Sequence, residues 1–130
     1  MSVGLLLITH RPLAGDLLRI ASEILGACPP DVEACEVVND TPRERSIEDC
    51  LSRLDRLDQG DGVLVLTDLY GSTPANIAAA LSKLRPNVRV LAGVNLPMLL
   101  RALNYAFEDL DAVADKALQG GRDGVRSCEG

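Results

Sequence analysis

Gly62-Val-Leu-Val-Leu-Thr-Asp68-Leu-Tyr-Gly71-Ser72-Thr73-Pro74-Ala-Asn76-Ile-Ala-Ala-Ala-Leu81 is the stretch on which the fold turns. Residues 63–67 are five consecutive apolar or β-branched residues, the pattern of a parallel strand buried on both faces. Asp68 stands where that strand runs out. A short Gly/Ser/Thr turn follows, then Pro74 at the first position of a helix. The first N–H groups of a helix lack internal partners, and the macrodipole puts partial positive charge there. The backbone amides of Gly71, Ser72 and Thr73 are therefore a candidate phosphoryl-binding turn. The plainer reading is an ordinary capped βα turn, with Ser72 or Thr73 as N-cap and Asp68 a solvated strand-end residue. The rest of the chain decides between them.

The same pattern opens the chain. Residues 3–9 read as a second strand buried on both sides, and His10, the only histidine, stands at its carboxyl end. From Leu13 an amphipathic helix places Leu13, Leu17, Ile20, Ala21 and Ile24 on one face and stops at Gly26. Residues 28–31 are a turn. Residues 32–38, interrupted by Glu33 and Glu36, suit a strand at a sheet edge. A helix over 46–58 turns Ile47, Leu51, Leu54 and Leu57 inward. Beyond the central stretch come a helix to residue 84, a strand over 88–94, a helix over 98–105 capped by Asn95, and a last helix over 108–118. The tail, 120–130, is either without fixed structure or a short strand around Val125.

This βαβαβαβα order predicts one α/β domain spanning 1–130: a doubly wound, mainly parallel sheet with helices on both faces, for which the common flavodoxin-like strand order 2-1-3-4 is taken. Ligands of such sheets bind at the carboxyl ends of the strands where the order reverses. That switch point lies between the first and third strands, which end in His10 and Asp68.

Composition narrows the classes further. A net charge of −6, no tryptophan, one phenylalanine and two tyrosines argue against nucleic acid, which is held by clustered cations and stacked aromatics. No apolar run approaches the roughly 18 residues of a membrane span. With no basic n-region and no cleavage site, the chain is expected to be cytoplasmic. Cys28, Cys35, Cys50 and Cys128 lack metal-site spacing and read as free thiols, with no structural metal expected.

A histidine opposite a carboxylate, beside a helix N-terminus, has a definite chemistry. Asp68 accepting from one ring nitrogen fixes the tautomer and leaves the other nitrogen as a nucleophile. It also offsets the charge of a phosphorylated ring, while the turn amides stabilise the phosphoryl oxygens in flight. Such transfer onto histidine calls for no metal and no cofactor. Walker A and G-x-G-x-x-G motifs are absent, and Pro74 occupies the position of the second glycine in a G-x-S-x-G elbow. A receiver domain would need an acidic pair where Thr9-His10 stands.

Four segments carry a resemblance: 4–10, 62–76, the Ala92-Gly-Val-Asn95-Leu-Pro97-Met-Leu99 run, and Gly121-Arg-Asp-Gly124-Val125. Together they resemble the enzyme IIA domain of the mannose family in the bacterial phosphoenolpyruvate-dependent sugar phosphotransferase system, over essentially the whole chain. The resemblance implies that His10 accepts phosphate from phospho-HPr and passes it to a IIB component carried on a separate chain, in the service of sugar uptake. Asp68 would be its hydrogen-bonded partner, and Ser72 with its neighbours would lie at the phosphate. It also implies a homodimer in which a C-terminal strand, here residues 124–128, crosses to the partner. The membrane is reached only indirectly, through permease subunits. The family often carries Gly-Gly-Ser-Pro where this chain has Gly71-Ser72-Thr73-Pro74, so the phosphate loop is expected to differ in detail. Two relatives of this reading are a stand-alone regulatory phospho-switch and the IIA-like subunit that serves dihydroxyacetone kinase.

Overall fold

The apolar runs become strands and the helical-period runs become helices, in a computed structural model that describes residues 2–27, 29 and 31–129. In chain order they are β1 (Gly4–His10), α1 (Leu13–Leu25), β2 (Val32–Val37), α2 (Arg43–Leu57), β3 (Val63–Thr67), α3 (Thr73–Leu84), β4 (Val88–Ala92), α4 (Leu96–Tyr105) and α5 (Leu110–Asp123). The strands form one parallel sheet of order β2-β1-β3-β4, as expected. Side chains alternate across it. Leu5, Leu7, Leu64 and Leu66 join the core built with α1, α4 and α5. Leu6, Ile8, Val63 and Val65 join the core built with α2 and α3. Both central strands are thus buried on two faces, which is why their sequences are almost purely apolar.

Register sets the functional end. Ile8 pairs with Thr67 on one side and Cys35 on the other. β1 continues past that level to His10, opposite Val37 of the edge strand β2. No helix among the described residues is long and apolar enough to cross a membrane.

Several boundaries differ from those expected, each for a local reason. The inward side of α1 is Ala14, Leu17 and Ala21, while Leu13 and Ile24 face outward. Two fully buried alanines let that side approach the sheet more closely than a leucine face would. α2 starts at Arg43 because the Pro42 carbonyl already accepts the Arg45 and Ser46 N–H groups, both at 3.1 Å. β4 stops at Ala92, where the Gly93 and Val94 amides turn to the Asp68 and Thr67 carbonyls, at 2.9 and 3.0 Å.

The largest correction is at α5, which runs to Asp123 instead of 118. Gly120 and Gly121 are where it closes on α4: a Cβ at Gly120 would lie 2.8 Å from the Arg101 Cβ, and one at Gly121 would lie 2.9 Å from the Met98 Cε. Residues 120–123 are therefore helix, and no strand forms around Val125, which is exposed. Cys35, Cys50 and Cys128 are free thiols; Cys28 and Pro30, in the expected turn, lie outside the described residues.

Candidate active site

The β1–α1 turn is pinned by Thr9, a fully buried residue. Its hydroxyl donates to the His10 carbonyl at 2.9 Å and accepts the Ala14 N–H at 2.7 Å. The backbone on either side of the histidine is thereby tied to the start of α1. Sequence alone does not single Thr9 out. A hydroxyl residue ending an apolar strand just before the turn is the only signal, and it does not discriminate: Thr67, in the like place on β3, is as buried and its hydroxyl has no partner among the described residues.

His10 and Asp68 meet across the switch point. The His10 backbone N–H donates to Asp68 Oδ2 at 3.0 Å, and His10 Nδ1 lies 2.7 Å from the same oxygen. Asp68 Oδ1 accepts the Leu69 N–H at 2.9 Å. Partial burial pushes the Asp68 carboxyl up, but the hydrogen bonds from the His10 backbone, the His10 ring and the Leu69 backbone outweigh it, leaving the group below its ordinary value. An ionised carboxylate only accepts, so the shared proton sits on Nδ1. The ring is half exposed, and Nε2 has no protein partner among the described residues.

The third part is the turn into α3. Gly71 takes a positive φ of 83°, a conformation that costs a side chain dearly and glycine little. Ser72 is the N-cap: its hydroxyl accepts the Ala75 N–H at 3.4 Å and donates to the Leu69 carbonyl at 2.6 Å. The Ser72 N–H is also engaged, with the Leu69 carbonyl at 3.1 Å. Among the described residues the Gly71 and Thr73 amides have no such partner. Ser72 is thus the cap of the plainer reading, and the amides on either side of it are left available.

The site is a surface, not a cleft. A cavity of about 310 Å³ beside it is lined by Thr67, Tyr70 and Gly71 together with α3 and β4, and another by Arg11, Glu36 and Arg53; neither includes His10. Leu69 and Tyr70 project beside it, 63% and 88% exposed. A half-exposed imidazole flanked by exposed Leu69 and Tyr70 leaves the surface open to a large partner.

With this geometry in place, similarity to known proteins becomes informative. The family profile EIIA-man, described as "PTS system fructose IIA component", matches residues 4–118. The chain belongs to the mannose-type enzyme IIA family of the phosphotransferase system. The "PTS system mannose-specific EIIAB component" of Escherichia coli (strain K12) is 33% identical over 131 residues, covering 99% of this chain and 40% of the relative. The chain thus spans about 40% of the length of such curated relatives. Among solved structures, the mannose/sorbose-specific IIA subunit from Enterococcus faecalis superposes with a TM-score of 0.88 at 27% identity, covering 99% and 96% of the two chains. The phosphotransferase system component EIIA from Streptococcus agalactiae does so with a TM-score of 0.85 at 25% identity, covering 96% of each. Enzyme IIA components are phosphotransferase components, and this chain is one of them in fold and family.

Proposed function

We propose that His10 is the phosphoryl carrier of this enzyme IIA, accepting the group from phospho-HPr and handing it to a IIB component for carbohydrate uptake. The observation that carries the reading is the 2.7 Å contact between His10 Nδ1 and Asp68, with Nε2 left free at the surface. With the proton on Nδ1, the Nε2 lone pair points outward and attacks phosphorus in line, forming the N–P bond as the donor's bond breaks. Asp68 offsets the positive charge that then develops on the ring. The Gly71 and Thr73 amides, at the positive end of α3, are the groups best suited to the equatorial oxygens. Transfer to the acceptor is the same step reversed. The family and its members are named for fructose, mannose and sorbose, so the carbohydrate is not transferable from them.

The same reading includes a homodimer. The sheet ends in the edge strand β4, and residues 124–129 leave α5 in no regular structure. A strand supplied by a second copy would cover that edge.

The test is phosphate transfer from phosphoenolpyruvate through enzyme I and HPr, read by intact mass and acid lability. One acid-labile phosphate on His10 is expected, and His10→Ala should abolish it with the fold unchanged by circular dichroism. Full phosphorylation of the His10→Ala protein would remove the assignment. Phosphate that stays on His10 in the presence of every IIB offered would favour the stand-alone phospho-switch.

A further inference from the structure

Away from the histidine, β2 and α2 bring two thiols into contact. Cys35 Sγ and Cys50 Sγ lie 2.8 Å apart, inside van der Waals contact. Both belong to the core between the sheet and α2, 5% and 0% exposed. Cys35 Sγ also donates to Asp49 Oδ2 at 3.5 Å. A cavity of about 310 Å³ reaches Cys35 between Thr41, Arg45, Ser46 and Asp49, and Cys50 does not line it. Of the two residues, Cys35 is the one next to this cavity, and so the one a small reagent would meet first. Hydrogen bonding to Cys35, and then burial, push the Cys50 thiol far up.

We propose that Cys35 and Cys50 form a redox-modification site that a two-electron oxidant of the peroxide class converts into an intrachain disulfide joining β2 to α2. In the first step the Cys35 sulfur attacks peroxide. The O–O bond breaks, one oxygen stays on sulfur as sulfenic acid, and the other leaves as water with the thiol proton. In the second step the Cys50 sulfur attacks that sulfenic sulfur. The S–S bond forms, the S–O bond breaks, and the hydroxyl departs as a second water with the Cys50 proton. Peroxide is reduced and the two thiols are oxidised by two electrons in all. Closing the contact to a bond of about 2.05 Å requires the sulfurs to approach by less than an ångström. The site is independent of the phosphoryl chemistry, although the strand it staples carries Val37 opposite His10.

The experiment treats the full chain, and a Cys28→Ser/Cys128→Ser variant, with hydrogen peroxide. Intact mass, peptide mapping and the thermal midpoint are the readouts. The expected result is loss of two hydrogens, one cross-linked peptide pair joining residues 35 and 50, and reversal by dithiothreitol. The cross-link spans 15 residues and should raise the midpoint by roughly 5–10 °C. Cys50→Ala should strand Cys35 as a sulfenic acid captured by dimedone. Two outcomes would overturn the proposal. One is oxidation confined to Cys28 or Cys128, with residues 35 and 50 still alkylatable after denaturation. The other is a 35–50 link formed only with a lowered midpoint, which would mean the fold must open first.

Discussion

The N-termini of α3 and α4 are built alike and surrounded differently. Each follows a parallel strand, each has a side-chain cap, and each has proline in its first two positions. Ser72 caps α3 and Asn95 caps α4, the latter accepting the Met98 N–H at 2.9 Å. The end of α4 is sealed, because Asn95 Nδ2 donates to the Gly121 carbonyl at 3.0 Å and α5 closes over it. The end of α3 is open, with Gly71 and Thr73 exposed. The other difference is the neighbour: Asp68, three residues before Gly71, is held to His10 of the adjacent strand. A capped helix start is therefore common scaffolding, and what makes one a candidate site is the residue that topology places across from it.

The sharpest way to break that contrast is at Asp68. Asp68→Asn removes the charge that fixes the ring proton and offsets the phosphorylated ring, yet keeps an acceptor oxygen. Transfer onto His10 should slow by about 10–100-fold in a single-turnover assay with phospho-HPr. A variant that transfers at the wild-type rate would reduce the carboxylate to scaffolding. The two caps give smaller effects with opposite balance. Asn95→Ala should lower stability by about 1–2 kcal/mol, measured by urea unfolding, and leave transfer per folded molecule unchanged. Ser72→Ala should cost about 1 kcal/mol and, by loosening the turn that aims the Gly71 and Thr73 amides, slow transfer about fivefold, as the loss of one of their hydrogen bonds would. Equal effects of the two variants on transfer would show that the open and sealed ends do not differ in function.

The sheet was legible because strands buried on two faces leave little room for anything but Val, Leu and Ile, as at residues 63–67. The alternation of strands and helices gave a doubly wound sheet, and taking its common flavodoxin-like order put His10 opposite Asp68, residues 58 apart in sequence. Less legible was what depends on packing between elements. Gly120 and Gly121 read as a helix stop by local propensity, but contact with Arg101 and Met98 keeps them helical. Ile24 fits the apolar spacing of α1 and is nevertheless 58% exposed, since the buried side is set by how closely Ala14 and Ala21 let the helix approach. The engagement of the Ser72 amide by Leu69 is a turn geometry that residue types do not encode. The meeting of Cys35 and Cys50 across two elements likewise left no trace in the cysteine spacing.

The smallest effect is a pH dependence at the same carboxylate. Asp68 in the folded chain lies below its ordinary value of 3.8, so its ionised form is the one the fold favours. Its contribution is fully present above about pH 4 and disappears as pH falls through the lower, folded value. The hydrogen-bonded pair sits at a half-open surface, with the histidine side chain 48% exposed, which limits the contribution to about 1 kcal/mol or less. The cap at Asn95 has no ionisable group and should show no such dependence. Urea unfolding of wild type, Asp68→Asn and Asn95→Ala at pH 6 and pH 3 separates the two helix ends. The stability gap between wild type and Asp68→Asn should shrink at the lower pH, while the gap to Asn95→Ala stays constant. An Asp68→Asn gap that held or widened on acidification would mean that the carboxylate is not stabilised in its charged form, and the assignment of the ring proton to Nδ1 would go with it.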